Sequence, residues 1–116
     1  MIDYKNIEIS SLQKDREHCY YCRCKLDYST ANLYHIGIVG KKTPTKEHIV
    51  ARTQGGKDTP ENVVIVCRTC NSKKGSQDVL EFVKEIGWQS KRIRFLKWYL
   101  RSNCRAIYKQ TKPTSV

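Results

Sequence analysis

An acid and a histidine stand side by side in Lys46-Glu47-His48-Ile49-Val50-Ala51-Arg52, just ahead of the Gly55-Gly56 turn. Downstream, Asn62 opens an apolar run and Asn71 directly follows a cysteine pair, so groups that handle water, metal and phosphate fall within one short block. A histidine's ordinary pKa of about 6.5 suits it to take a proton from water near neutral pH, the task assigned here to His48. The oxygens of Glu47 and Asn71 are hard ligands of the kind Mg²⁺ or Mn²⁺ prefers. Hydrolysis of a phosphodiester needs a deprotonated water, neutralised phosphoryl oxygens and a stabilised leaving alkoxide. One histidine and one divalent cation meet all three needs, the ion acting mainly as Lewis acid and leaving-group clamp.

The cysteines carry a second kind of chemistry. Cys19-Tyr20-Tyr21-Cys22 and Cys67-Arg68-Thr69-Cys70 are both C-x-x-C pairs, a spacing that lets two thiolates converge on one tetrahedral ion. Together they predict a four-cysteine structural zinc site. Cys24 could replace Cys22, and His18 could replace Cys19, after a small loop shift. Residues 23 to 66 separate the pairs, far more than the ~15 to 20 residues of an ordinary zinc ribbon. Something folded must sit inside that loop, and Glu47, His48 and Asn62 lie there. Four thiolates leave a zinc no open position, so this ion would clamp the fold and not react.

Composition agrees with a small stapled domain that meets a polyanion. With 116 residues and 39% apolar content, one domain spanning 1–116 is expected, and at this size an added staple helps. Lys and Arg outnumber Asp and Glu by 22 to 11, a net charge of +11 that points first to nucleic acid and second to an anionic membrane surface. No apolar stretch approaches the roughly 18 residues of a spanning helix, and Met1-Ile2-Asp3-Tyr4-Lys5 does not open an export signal. A cytoplasmic protein without membrane contact is expected. Its cysteines would then hold metal in preference to disulfides.

The elements that must position these groups can be read in outline. Residues 5 to 17 have weak helical character, and Tyr34, Ile36 and Ile38 alternate with His35 and Gly37 as in a short strand, where His35 reads as a surface residue. Adjacent strand residues point to opposite faces, so the strand bearing Glu47 and His48 must be distorted or end there. Val63-Val64-Ile65-Val66 reads as a buried strand leading into Cys67. A helix from Ser76, its cap, to Gly87 carries apolar residues at 79, 82, 83 and 86. A second, from about 90 to 110, lines up Ile93, Leu96, Leu100, Cys104 and Ile107, which makes Cys104 a core residue. Its other face sets Arg94, Trp98, Arg101 and Arg105 where a phosphate backbone and a base could meet them, and residues 111–116 read as a tail.

Glu47-His48-Ile49-Val50, Gly55-Gly56, Asp58, Asn62-Val63 and Cys67-x-x-Cys70-Asn71 with Lys73, Lys74 and Gly75 occur in an order that resembles the zinc-stapled HNH endonucleases. The resemblance covers about residues 19–86. It implies an α+β fold, a small ββα-metal (HNH or His-Me finger) core with added C-terminal helices. It also implies metal-dependent cutting or nicking of double-stranded DNA, leaving 5′-phosphate and 3′-hydroxyl ends. His48 would be the general base, Glu47 and Asn71 the ligands of the catalytic ion, and Asn62 the pin of the loop between two strands. Glu47 stands where many members have Asp, and Ala51 where proline is frequent. Arg52, Lys73 and Lys74 are read as phosphate contacts, although a basic residue is often merely solvated. A non-cleaving nucleic-acid-binding module, or a nuclease subunit aimed by a larger partner, is the alternative, and a homodimer is compatible with either.

Overall fold

Val63, Val64, Ile65 and Val66 are β-branched, and stiff side chains of this kind favour a pleated, fully covered strand. The structure, a computed structural model, describes residues 3–29 and 40–103. It forms strand β2 over Val63–Cys67, with every residue buried. Strand β1, Pro44–His48, pairs with it antiparallel, Pro44 opposite Cys67 and His48 opposite Val63. Helix α1, Arg68–Lys74, follows β2 at once, and α2, Val79–Glu85, and α3, Ser90–Asn103, complete a small α+β arrangement. The reading at Tyr34 to Ile38, including His35, lies outside the described residues, as do Cys104, Arg105, Ile107 and the tail at 111–116.

The free edge of β2 is covered by the N-terminal segment. Ser10 N–H donates to the Val63 carbonyl (2.8 Å) and Tyr20 N–H to that of Ile65 (3.1 Å). The Gln13 amide completes the cover by accepting from Ile65 N–H (2.7 Å) and donating to the Ile65 carbonyl (3.0 Å). Residues 5 to 17 therefore form turns and bends around β2 in place of the expected weak helix. Their backbone and Gln13 serve as a third strand without being one. Buried polar groups are satisfied in this way and the edge is closed to other chains.

The helices differ from expectation at their caps and stripes. The cap of α2 is Asp78, whose carboxylate accepts from Glu81 N–H (3.2 Å), and Ser76 stands two residues outside it. Val79, Leu80, Phe82 and Val83 are buried against the core. On α3 the buried residues are Leu96, Tyr99 and Leu100, with Ile93 partly buried, so a tyrosine joins the expected aliphatic stripe. Its hydroxyl accepts from Ser10 Oγ (2.7 Å) and donates to the Glu61 carbonyl (2.7 Å), fastening α3 to the loop before β2. Among the described residues no helix is long and apolar enough to cross a membrane.

Gly56 fixes the turn after β1. Its N–H donates to the Ala51 carbonyl (3.0 Å), and a Cβ there would stand 1.7 Å from the Val50 carbonyl oxygen. That neighbour is backbone and cannot rotate away. Gly56→Ala is expected to cost about 2 kcal/mol or more and to lower the melting temperature by several degrees in circular dichroism. An unchanged melting curve would show that the turn is not held as described.

Candidate nuclease site and its cysteine staple

The thiols of Cys19, Cys22, Cys67 and Cys70 lie within 4.8 Å of one another. In a tetrahedral thiolate site with Zn–S near 2.3 Å, sulfurs stand about 3.8 Å apart. Cys22 Sγ and Cys67 Sγ are 3.8 Å apart. Each pair forms a tight knuckle in which the backbone N–H of the second cysteine donates to the sulfur of the first, at 3.4 Å in both. Arg23, just after the first pair, adopts φ +68°, and its N–H closes on the Cys19 carbonyl (2.9 Å). Hydrogen bonds from Cys19 and then Cys70 hold the Cys67 thiol down to about 3, while Cys19 and then Cys67 push Cys70 up. Four sulfurs at this spacing could hold a metal such as zinc.

Of the two substitutes, Cys24 sits beside the four, its thiol raised by burial and then by Cys22. His18 is turned outward, with Nδ1 3.1 Å from Asp15 Oδ1. A cleft of about 800 Å³ opens next to the cysteines, lined in part by Lys41, Lys42 and Lys73. Four thiolates around a divalent ion carry net negative charge, and these ammonium groups are placed to balance it.

β1 keeps its two-residue alternation up to its last residue, His48, so neighbouring Glu47 and His48 point to opposite faces. Lys46 and His48 are half-buried on one face and meet the same oxygen: Asp58 Oδ1 lies 2.8 Å from Lys46 Nζ and 3.0 Å from His48 Nε2. Those two contacts, Lys46 first, hold the Asp58 carboxyl down to about 2. A deprotonated carboxylate can only accept, so the proton between them sits on Nε2, and in neutral His48 the acceptor is Nδ1. Asp58 had no assigned role in the sequence. Its only signal was a position two residues beyond the glycine pair.

Glu47 points to the other face, 6% exposed. Its Oε2 lies 3.0 Å from Lys74 Nζ and accepts from the Tyr21 hydroxyl at 3.2 Å. Burial pushes the Glu47 carboxyl up, and the Lys74 ammonium, then Tyr21, oppose that shift. Tyr21 is itself raised well above its ordinary value by burial, then by Glu47, and so keeps the proton it donates. Lys74 also donates to the His48 carbonyl (3.4 Å), and its side chain has no exposed surface. This corrects the reading of Lys74 as a phosphate contact: its charge is spent inside the fold, on Glu47. Arg52 and Lys73 are exposed.

The two asparagines have separate geometry. Asn62, 3% exposed, accepts from Val50 N–H (2.8 Å) and donates to the carbonyls of Val50 (3.0 Å) and Lys57 (2.9 Å), binding both arms of the loop after His48. Asn71, on α1, donates through Nδ2 to Thr45 Oγ1 (3.0 Å), which in turn donates to the Val66 carbonyl (3.0 Å). The Thr45 hydroxyl has one proton and gives it to Val66, so the atom facing it must be the amide nitrogen. Among the described residues, Asn71 Oδ1 and Glu47 Oε1 accept no hydrogen bond. Both are hard oxygens on the side of β1 that α1 covers, a donor chemistry that fits a small divalent cation.

Residues 37–86 match the family described as HNH endonuclease. The matched segment covers less than half of the chain. It runs from before β1 to the end of α2 and holds Glu47, His48, Asp58, Asn62, Asn71 and the second cysteine pair. Neither a curated protein nor a solved structure matches the chain. Cys19, Cys22 and α3 fall outside the HNH segment, and the structure brings both to it. Arg92 stacks 3.4 Å above the Trp88 ring, donates to the carbonyls of Tyr20 and Tyr21, and is held down to about 10 by burial, then by Arg23. With Trp88 Nε1 donating to the same Tyr21 carbonyl (2.7 Å), α3 clamps the first knuckle. Nothing in the sequence sets Arg92 apart from the other basic residues of α3. Arg94, Trp98 and Arg101 are exposed on the far side of α3.

If the four thiols hold an ion, Cys70→Ser should lose most of the bound metal in elemental analysis and melt at lower temperature. The expected loss is several kcal/mol, because metal binding is folding free energy in a site that the unfolded chain lacks. A wild-type chain that is metal-free yet melts like the metal-loaded one would rule out the staple.

Proposed function

We propose that the chain is a single-domain, metal-dependent endonuclease that hydrolyses phosphodiester bonds of double-stranded DNA on a ββα-metal core. Zinc on Cys19, Cys22, Cys67 and Cys70 would be structural. The observation that carries the reading is the His48 imidazole, oriented by Asp58 at the end of β1, inside the segment that matches the HNH endonuclease family. Asn71 and Glu47 would hold Mg²⁺ or Mn²⁺, which when bound neutralises phosphoryl charge and assists departure of the alkoxide.

The chain's own residues account for the other steps. His48 Nδ1 takes a proton from the attacking water while Nε2–H stays on Asp58. The water oxygen bonds to phosphorus as the P–O3′ bond breaks, giving 5′-phosphate and 3′-hydroxyl ends, and solvent returns a proton to the departing oxygen. Asp58 is a positioning residue: it fixes the ring's tautomer and favours the imidazolium formed in the reaction. Asn62 acts indirectly, through the Val50 backbone two residues beyond His48. Thr45 acts in the same way on Asn71. Arg52, Lys73, Arg94, Arg101 and, beyond the described residues, Arg105 would meet the DNA backbone, with a second copy or a larger protein supplying any target choice.

One observation favours a second reading, a nucleic-acid-binding module that does not cut. The Glu47 carboxylate already has two partners, Lys74 and Tyr21, so a cation there meets a charge that is largely compensated.

Plasmid incubated with the purified chain and Mg²⁺ or Mn²⁺ separates the two. Nicking or linearisation is expected, and His48→Ala should reduce it by about 100-fold or more. Equal cutting by His48→Ala would remove the base assignment; DNA binding without cutting under any divalent ion would favour the module.

The dyad gives its own signature. Asp58→Asn keeps an acceptor for Nε2 but removes the charge that favours a protonated ring. The acid limb of the pH–rate profile should therefore move to lower pH, with kcat reduced and KM little changed. A profile that scales down without moving would make Asp58 merely structural.

A further inference from the structure

The exposed side of α3 carries more than charge. Phe95 is 52% and Trp98 58% exposed, and they are the large hydrophobic side chains left exposed among the described residues. Their rings stack, with centroids 5.7 Å apart and planes inclined by 29°. Lys91, Arg94 and Arg101 are exposed on the same stripe, at helical spacing opposite buried Leu96, Tyr99 and Leu100. Among the described residues the inner face of α3 is filled by Leu96, Tyr99 and Leu100, and neither ring takes part in it.

We infer that Phe95 and Trp98 form a stacking platform for unpaired bases, so that the nucleic acid this chain engages includes a single-stranded segment. Phosphates alone require cations and no aromatic rings. Paired bases inside a duplex keep their faces on one another, whereas an unpaired base offers a free face to a ring. Cations interleaved with exposed rings on one helix face match both parts of a single strand, its backbone and its bases. The platform is also fixed relative to the HNH segment. Tyr99, the next residue on the inner face, donates to the Glu61 carbonyl, and Glu61 adjoins Asn62, which holds the loop after His48. A strand lying on the platform is thus held by the same frame as the catalytic histidine, and this inference rests on the nuclease reading only for the identity of its ligand as nucleic acid.

The test uses the full chain with no divalent ion added, labelled oligothymidylate, and a duplex of the same length. Oligothymidylate should quench tryptophan fluorescence on binding. Phe95→Leu with Trp98→Leu should abolish the quench and weaken single-strand affinity at least about 5-fold more than duplex affinity. Trp98→Phe, which keeps a ring, should recover most of the difference while the leucine variants melt as wild type does. Equal losses on both probes would overturn the platform. So would a leucine variant that binds oligothymidylate normally but no longer dimerises in light scattering, or no longer binds phosphatidylserine vesicles. A chain that stacks oligothymidylate but never cuts plasmid loses the nuclease reading and keeps the platform; one that cuts but shows no stacking preference does the reverse.

Discussion

Four thiols brought within one ion's reach constrain nearly everything else in this fold. Cys19 and Cys22 come from a segment with no regular secondary structure, whereas Cys67 ends β2 and Cys70 lies in α1. Joining them sets the first knuckle against the sheet, where Tyr20 N–H reaches Ile65 and the Tyr21 hydroxyl reaches Glu47. The same junction fixes where α1 starts, with Cys67 capping the helix through its sulfur. Asn71 and Lys74 are one turn apart on that helix, so their placement over Thr45 and Glu47 follows from the position of the knuckle. A chain of this size, with modest apolar content, has few other means of holding so many irregular segments together.

Around the four cysteines the fold buries charge in a controlled way. An ammonium with no exposed surface is costly to desolvate, and it persists here because Glu47 and the His48 carbonyl both receive it. Removing either partner of such a pair typically costs about 3 to 5 kcal/mol, since the other charge is left uncompensated. The arrangement ties α1 to β1 beside the histidine. It also holds Glu47 in one orientation, with one oxygen engaged and the other accepting no bond among the described residues. On the opposite face of the strand Asp58 collects both Lys46 and His48. Charges of opposite roles are thus kept on opposite faces by the two-residue alternation of β1.

The contrast between α1 and α3 shows where charge is structural and where it is available. Lys74 and Arg92 are spent on carboxylate, carbonyls and rings inside the fold. Lys73 and Arg94 are exposed one and two residues away, and Arg101 is exposed further along α3. A net charge of +11 describes their sum and not their division. Helical periodicity placed Leu96 and Leu100 on the buried face of α3 but did not find Tyr99 there. It did not sort the seven-residue α1, where two turns are too short for a pattern and burial is decided by what lies above the helix.

The sequence by itself determined the two cysteine pairs, the buried run at Val63 to Val66, the turn at Gly55-Gly56, and the order in which Glu47, His48, Asn62 and Asn71 appear. Those are local facts: thiolate spacing, β-branching, the absence of a Cβ and the succession of residue types can each be read without knowing what is nearby. Only the tertiary structure decided that Asp58 meets His48, that Lys74 lies buried on Glu47, that Thr45 sets the Asn71 amide, and that Gln13 and Arg92 brace segments far away in the chain. Each of these is a hydrogen bond or ion pair between polar side chains and distant partners. A polar residue type announces that a partner is needed and is silent about which one the fold will supply.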